Sequence, residues 1–261
     1  WPALSEAEGD DIFNNCLAVV GSRHLTSYGR KATEQLVTEI AAAGVTIVSG
    51  FMYGGDEVAH SATVKCGGKT IAVMPCGIDR IHPATQKNLY QEILDKNSLI
   101  ISEYEGDVQP QTFTYIQRDR IVAGLSKAVF VTEAALNSGS LITASYAKKY
   151  GRKIFALPGQ ITSEVSKGTL KLIKEGAEPV SEASDILKHF NVFPKARKED
   201  KKFICGNALE EKIIEHLKRE SMEADEMARV LNFPIAKIGT TLSLMQLKGF
   251  INQDGRKYFL N

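Results

Sequence analysis

Six short runs of apolar residues, at 16–20, 45–49, 70–74, 99–102, 128–132 and 154–157, punctuate the first three-quarters of the chain. Each has the length of a strand and is rich in Val and Ile, and none alternates strictly with polar residues. A strand that is apolar throughout has both of its faces covered, and the stretches between the runs are long enough for crossover helices. The spacing predicts helices over 28–43, 57–65, 85–94, 140–150, 166–175 and 182–189. Three of these end at Gly44, Gly151 and Gly176, where a left-handed residue closes a helix well. The order of elements predicts an α/β fold: a doubly wound, mostly parallel, Rossmann-like sheet.

The pattern breaks at 191–207, where five Lys/Arg stand against two acids and a proline, and a solvated linker is expected there. This places one domain at 1–190 and a second at 208–261. The second shows helical apolar spacing at Leu209, Ile213, Ile214 and Leu217, at Met227, Val230 and Leu231, and at Ile238, Leu242, Leu244, Met245 and Leu247. It closes on a hairpin expected to turn at Asp254-Gly255. Three helices and a terminal hairpin predict a small winged-helix-like domain, with Ile238, Leu242 and Leu247 in its core.

The net charge of +1 leaves any nucleic-acid site to a local patch, because no global polycation supplies affinity. The second domain carries eight Lys/Arg and eight Asp/Glu, which favours an accessory or protein-binding role over DNA contact. Cys16, Cys66, Cys76 and Cys205 form no CxxC pair, against both a zinc site and a disulfide framework, and free thiols suit a reducing cytoplasm. No apolar run is long enough to span a bilayer, so no membrane partner is expected. The chain opens at Trp1 and enters its first strand by residue 16, which predicts a further segment upstream.

Three turns carry candidate chemistry. Gly21-Ser22-Arg23 follows the first strand and precedes a helix start at Ser27-Tyr28-Gly29, a geometry that cradles phosphate: glycine exposes backbone N–H groups, the helix N-terminus is electropositive, and arginine forks two oxygens. Ser49-Gly50 with Gly54-Gly55-Asp56 follows the second strand. Ser138-Gly139-Ser140 opens another helix, where its hydroxyls serve equally as caps. In open α/β sheets these turns converge beyond the carboxyl ends of the strands. Between the fourth and fifth strands, Tyr115, Arg118 and Arg120 interleave a ring with cations, which suits single strands. The competing use of those arginines is pairing with Glu103 or Glu133.

In this order the segments VVGSRHLTSYG, VSGFMYGGDEVAH, GGKTIAVMPCGIDRIHP, ISEYEGDVQP, RDRIVAGLS, NSGSLITASYA and GRKIFALPG resemble the DprA/Smf family over residues 17–189. The resemblance implies a non-enzymatic protein without a cofactor. It implies a protein that binds and protects incoming single-stranded DNA, helps load a RecA-type recombinase during natural transformation, and forms a homodimer. It assigns Arg23, Arg118, Arg120, Ser138, Gly139 and Ser140 to a basic DNA pocket, and three neutralised phosphates predict a salt slope of roughly −2. Two features depart from the family. Tyr115-Ile116 and Arg118-Asp119-Arg120 stand where Phe-Pro and Arg-Asn-Arg are usual, and Met52 and Gly55 depart from the usual glycine turn.

Two rivals use the same loops. The large domain is also similar to the LOG-type nucleotide phosphoribohydrolases, but 137–145 has one glycine and lacks their closing glutamate, leaving Glu103 and Glu133 as candidate carboxylates. A sensor of a nucleotide second messenger is the other. His24, His60 and His82 pair with no nucleophile and read as structural, and Cys76 reads as inert.

Overall fold

Both faces of the first apolar run are covered by helices. In β1 (Cys16–Val20), Leu17 and Val19 pack into one apolar layer while Cys16, Ala18 and Val20 pack into the other. The computed structural model describes residues 12–192, 207–218 and 220–260. The chain divides into two compact units, Trp1–Lys195 and Ala196–Asn261; most of the linker expected over 191–207 lies outside the described residues.

The first unit follows β1 with α1 (Ser27–Ala42), β2 (Thr46–Ser49), α2 (Gly55–Lys65), β3 (Thr70–Gly77), α3 (Lys87–Asp95), β4 (Leu99–Tyr104), α4 (Thr112–Leu125), β5 (Ala128–Val131), α5 (Ser140–Lys149), β6 (Lys153–Ala156), α6 (Lys167–Lys174), β7 (Glu178–Pro179) and α7 (Ala183–Leu187). The seven strands run parallel in the order β4-β3-β2-β1-β5-β6-β7. Leu36, Val37 and Ile40 of α1 join Ile186 and Leu187 of α7 on one face; Val122 and Ala123 of α4 join Ala144 and Ala147 of α5 on the other. The doubly wound α/β fold expected from the run spacing is the one observed. Strand order reverses between β1 and β5, which opens a crevice beyond their carboxyl ends.

Helix α4 is the element that the apolar pattern did not announce. Its buried residues are Thr114, Arg118, Val122 and Ala123, so two of its four inward positions are polar and the 3.6-residue period is masked. A capping box between Gln111 and Thr114 starts it. Helix geometry then sends Arg118 and Arg120 about 200° apart around the axis, so the two cannot share one pocket.

The second unit contains α8 (Ala208–Leu217), β8 (Met222–Glu223), α9 (Ala224–Leu231), α10 (Ile235–Leu247), β9 (Ile251–Asp254) and β10 (Lys257–Leu260), with an antiparallel sheet in the order β8-β10-β9. Ile238, Leu242 and Met245 form the inward stripe of α10. Leu247, expected in the core, is 86% exposed, because it lies two residues beyond Met245 and so on the opposite side of the helix. Asp254 pairs with Lys257, so the hairpin turns at Gly255-Arg256, one residue later than expected.

Candidate functional site

A cavity of about 570 Å³ lies at the reversal between β1 and β5. Of the candidate residues it brings together Gly21, Ser22, Arg23, Tyr115, Arg118, Ser138, Gly139 and Ser140; Ser27, Gly50 and Arg120 do not line it.

The loop after β1 is held by main-chain bonds on both sides. Ser22 N donates to Glu133 O at 2.6 Å, and Gly55 N donates to Ser22 O at 3.0 Å. Gly21 and Gly55 meet backbone to backbone: a Cβ on Gly55 would lie 2.7 Å from Gly21 Cα, so only glycine permits the two loops to touch. Glu133 sits behind them, 2% exposed, accepting from Thr26 N at 2.8 Å and from Thr26 Oγ1 at 2.6 Å. Thr26 in turn caps α1 by accepting from Gly29 N. Glu133 therefore sets the entry to α1; it neither reaches the cavity nor pairs with an arginine of α4.

The floor is a buried charge cluster. The Arg118 side chain, 5% exposed, donates from Nη1 to Val73 O at 2.5 Å and places Nε 3.2 Å from Asp119 Oδ1. Its guanidinium fills the space where Gly50 would carry a side chain; a Cβ there would lie 2.1 Å from Nη1. Asp56 completes the cluster and accepts from Met52 N at 3.3 Å. Burial pushes the Asp56 carboxyl up while Arg118 beside it pulls the other way. For Asp119 burial again outweighs Arg118, and its carboxyl is pushed up to about 6. His60, fully buried, bonds Thr70 Oγ1 through Nδ1 at 2.7 Å; burial, and then Arg118, lower it to about 3, so it is neutral at pH 7.

Arg23 and Tyr115 form one wall. Arg23, exposed, holds its guanidinium carbon 5.4 Å from the centre of the Tyr115 ring, and the Tyr115 hydroxyl lies 2.7 Å from His82 Nε2. Opposite, Ser138 Oγ and Ser140 Oγ are 2.6 Å apart at the start of α5. A Cβ on Gly139 would meet nothing within 4 Å, so the glycine leaves open backbone at that helix end. Arg120 is turned away and pairs with Glu103 of β4.

Arg118 and Arg120, both expected to meet phosphate, are thus committed to partners within the protein, the first to the floor and the second to the competing use anticipated for it. Asp56 fell within a candidate turn without a role of its own, and sequence reasoning assigned neither Thr143 to the cavity nor His82 to the Tyr115 hydroxyl, nor the structural part of Glu133. Thr26, directly before a helix with Gly29 three residues on, was the available signal for the α1 cap; Asp56 sits in the glycine turn and bonds Met52 four residues back, whereas the contacts of His82 and Glu133 are long-range and leave no local signature. Burial raises the Cys76 thiol, in keeping with an inert residue. Among the described residues no group of three His, Cys, Asp or Glu side chains is arranged to hold a metal ion.

Residues 7–191 match the family described as DNA recombination-mediator protein A. Protein Smf of Escherichia coli is 44% identical over 173 residues, covering 66% of this chain and 46% of that protein. The crystal structure of DNA processing protein A from Streptococcus pneumoniae superimposes with a TM-score of 0.64 at 40% identity, covering 69% of this chain and 62% of that one. The DNA processing protein A of Helicobacter pylori, whose structure concerns its single-stranded DNA binding mode, gives 0.63 at 33% identity and covers 69% and 82%. The chain thus spans about half the length of the Escherichia coli relative. With a match that takes in the whole seven-stranded sheet and both loops of the cavity, the chain belongs to the DNA recombination-mediator protein A family, that of the DprA/Smf proteins.

Proposed function

We propose that the cavity between β1 and β5 binds single-stranded DNA without reading its sequence. The observation that carries this reading is the meeting, at the strand-order reversal, of the glycine loop ending in exposed Arg23, the N-terminus of α5 at Ser138-Gly139-Ser140, and the ring of Tyr115. Phosphate suits the first two, and a base suits the ring beside them. Arg23 is the phosphate-pairing cation. Arg118 acts from beneath, by holding the floor, and Arg120 stands outside. The salt slope for one cavity is accordingly about −0.7, the value for one neutralised phosphate, and below the −2 expected from three arginines.

A homodimer would offer one strand two such cavities and gain by avidity. The recombination-mediator description of the family, and the single-strand binding of the Helicobacter pylori relative, support a strand that is protected and then passed to a RecA-type recombinase. Glu103 and Glu133, the two carboxylates that the hydrolase reading named, are engaged with Arg120 and Thr26 outside the cavity, which supports binding over the turnover that reading required. Among the described residues no helix is long and apolar enough to cross a membrane.

Anisotropy of a labelled oligo-dT, set against a matched duplex over a salt series, tests the reading. The expected result is salt-dependent single-strand binding that Arg23→Ala weakens at least tenfold, which corresponds to about 1.4 kcal/mol. No single-strand binding at low salt, or a variant that binds like the parent, would overturn it.

A further inference from the structure

Two carboxylates line the cavity, Asp56 and Asp119, and they share one guanidinium. Asp56, from α2, is buried below Met52 and is held by main-chain N–H groups of the β2–α2 loop. Asp119, from α4, has its side chain 15% exposed. Arg118 of its own helix pairs with it, Asp56 of α2 opposes it, and the neutral Thr143 of α5 donates a hydrogen bond to it. Across the cavity the loop after β1 contributes Arg23 and His24. His60 of α2 neighbours Arg118 as a neutral imidazole, and His82 is tied to the Tyr115 hydroxyl. With both carboxylates ionised, the floor carries one negative charge, and a phosphodiester entering beside it adds a second.

We propose that the cavity takes up a proton at Asp119 when a nucleic-acid phosphodiester enters it, so that strand binding is tighter in mild acid than in mild alkali. This deepens, and rests on, the reading of the cavity as a single-strand site. Burial, against the opposing pull of Arg118 and with Asp56 nearby, already holds the free carboxyl at about 6. An incoming phosphate disfavours the charged form further, so the bound value lies above the free one. Between the two values the complex holds one more proton than its separated parts. Affinity is therefore full below pH 6, falls by up to about tenfold per pH unit between the free and bound values, and levels off above the bound one. The proton has a second use: a carboxylic acid donates a hydrogen bond that a carboxylate cannot, and a phosphate oxygen accepts it. The Asn of the usual Arg-Asn-Arg element is neutral at every pH. Asp119 makes the same position conditional.

The test is binding of a labelled oligo-dT at constant ionic strength across about pH 5.5 to 8.5, a range in which thymine does not titrate, for the parent and for Asp119→Asn. Calorimetry of the parent near pH 7, in two buffers of different ionisation enthalpy, counts the protons taken up. The expected result is an affinity loss of about three- to tenfold between pH 6 and 8 in the parent, net proton uptake on binding, and a profile flat within about twofold in Asp119→Asn. A flat parent profile with no proton uptake, or a pH dependence that survives in Asp119→Asn, overturns the inference and leaves the single-strand reading intact. Absence of binding by both proteins at every pH overturns the reading itself, and the inference with it.

Discussion

An arginine lodged beneath a glycine decides how the cavity floor is built. Arg118 reaches from α4 to the middle of β3 and fills the position that a side chain on residue 50 would need, while Asp56 and Asp119 balance its charge. Gly50→Ala must expel that guanidinium and strand two buried carboxylates. The expected cost is about 3 kcal/mol or more, read from urea unfolding; a loss below about 1 kcal/mol would mean that the guanidinium relocates freely. At this scale the sequence was legible where a residue acts alone. Arg23, in a strand-to-helix turn after glycine, is recognisable from its neighbours, and the structure finds it exposed beside Tyr115. Arg118 and Arg120 look equivalent to it in the chain. Their difference lies in Val73 and Glu103, partners that only the folded sheet brings to them.

Among the elements, the strands were legible because both of their faces are apolar, so that the run itself marks the strand. Helix α4 was not, because its inward stripe carries Thr114 and Arg118 where leucine would have made a period visible. The two-residue β7 is too short to leave any pattern. The consequence for α4 is testable: its two arginines sit on different sides and do different work. Arg120→Ala breaks an ion pair whose side chains are 46% and 36% exposed, so it should cost below about 1 kcal/mol in stability and change oligo-dT affinity by less than about threefold. The same anisotropy assay checks this beside Arg23→Ala, and an equal loss from both variants would return Arg120 to the cavity.

The first unit as a whole concentrates its ligand-facing features at one pole. The carboxyl ends of β1 and β5 and the N-terminus of α5 point there, whereas the opposite pole holds a larger cavity, of about 810 Å³, edged by Lys148, Arg152 and Lys171. Those cations lie at or just past the C-terminal ends of α5 and α6, where helix dipoles call for positive charge without any ligand. A net charge of +1 thus conceals a division of labour, and exposed Arg23 at the first pole stands beside a glycine loop and a helix N-terminus.

The path of α4 across the sheet has one more consequence. The chain leaves the first four strands at β4, an outer edge, and α4 then returns over β3, β2 and β1 to begin β5 beside β1. The loop at 105–109 is exposed, and Gly77 and Arg80 tie it back to the β3 side. A polypeptide severed between Gln109 and Pro110 would therefore yield one piece with an uncovered sheet face and another with Arg118 deprived of Asp56. Neither piece should fold by itself, yet mixed together they should regain a cooperative melt and a working cavity, as judged by circular dichroism and strand binding. A folded 110–192 piece on its own would show the halves to be autonomous. If they are not, the protein is a natural conditional pair: two inert fragments whose reunion could report that two other molecules have met.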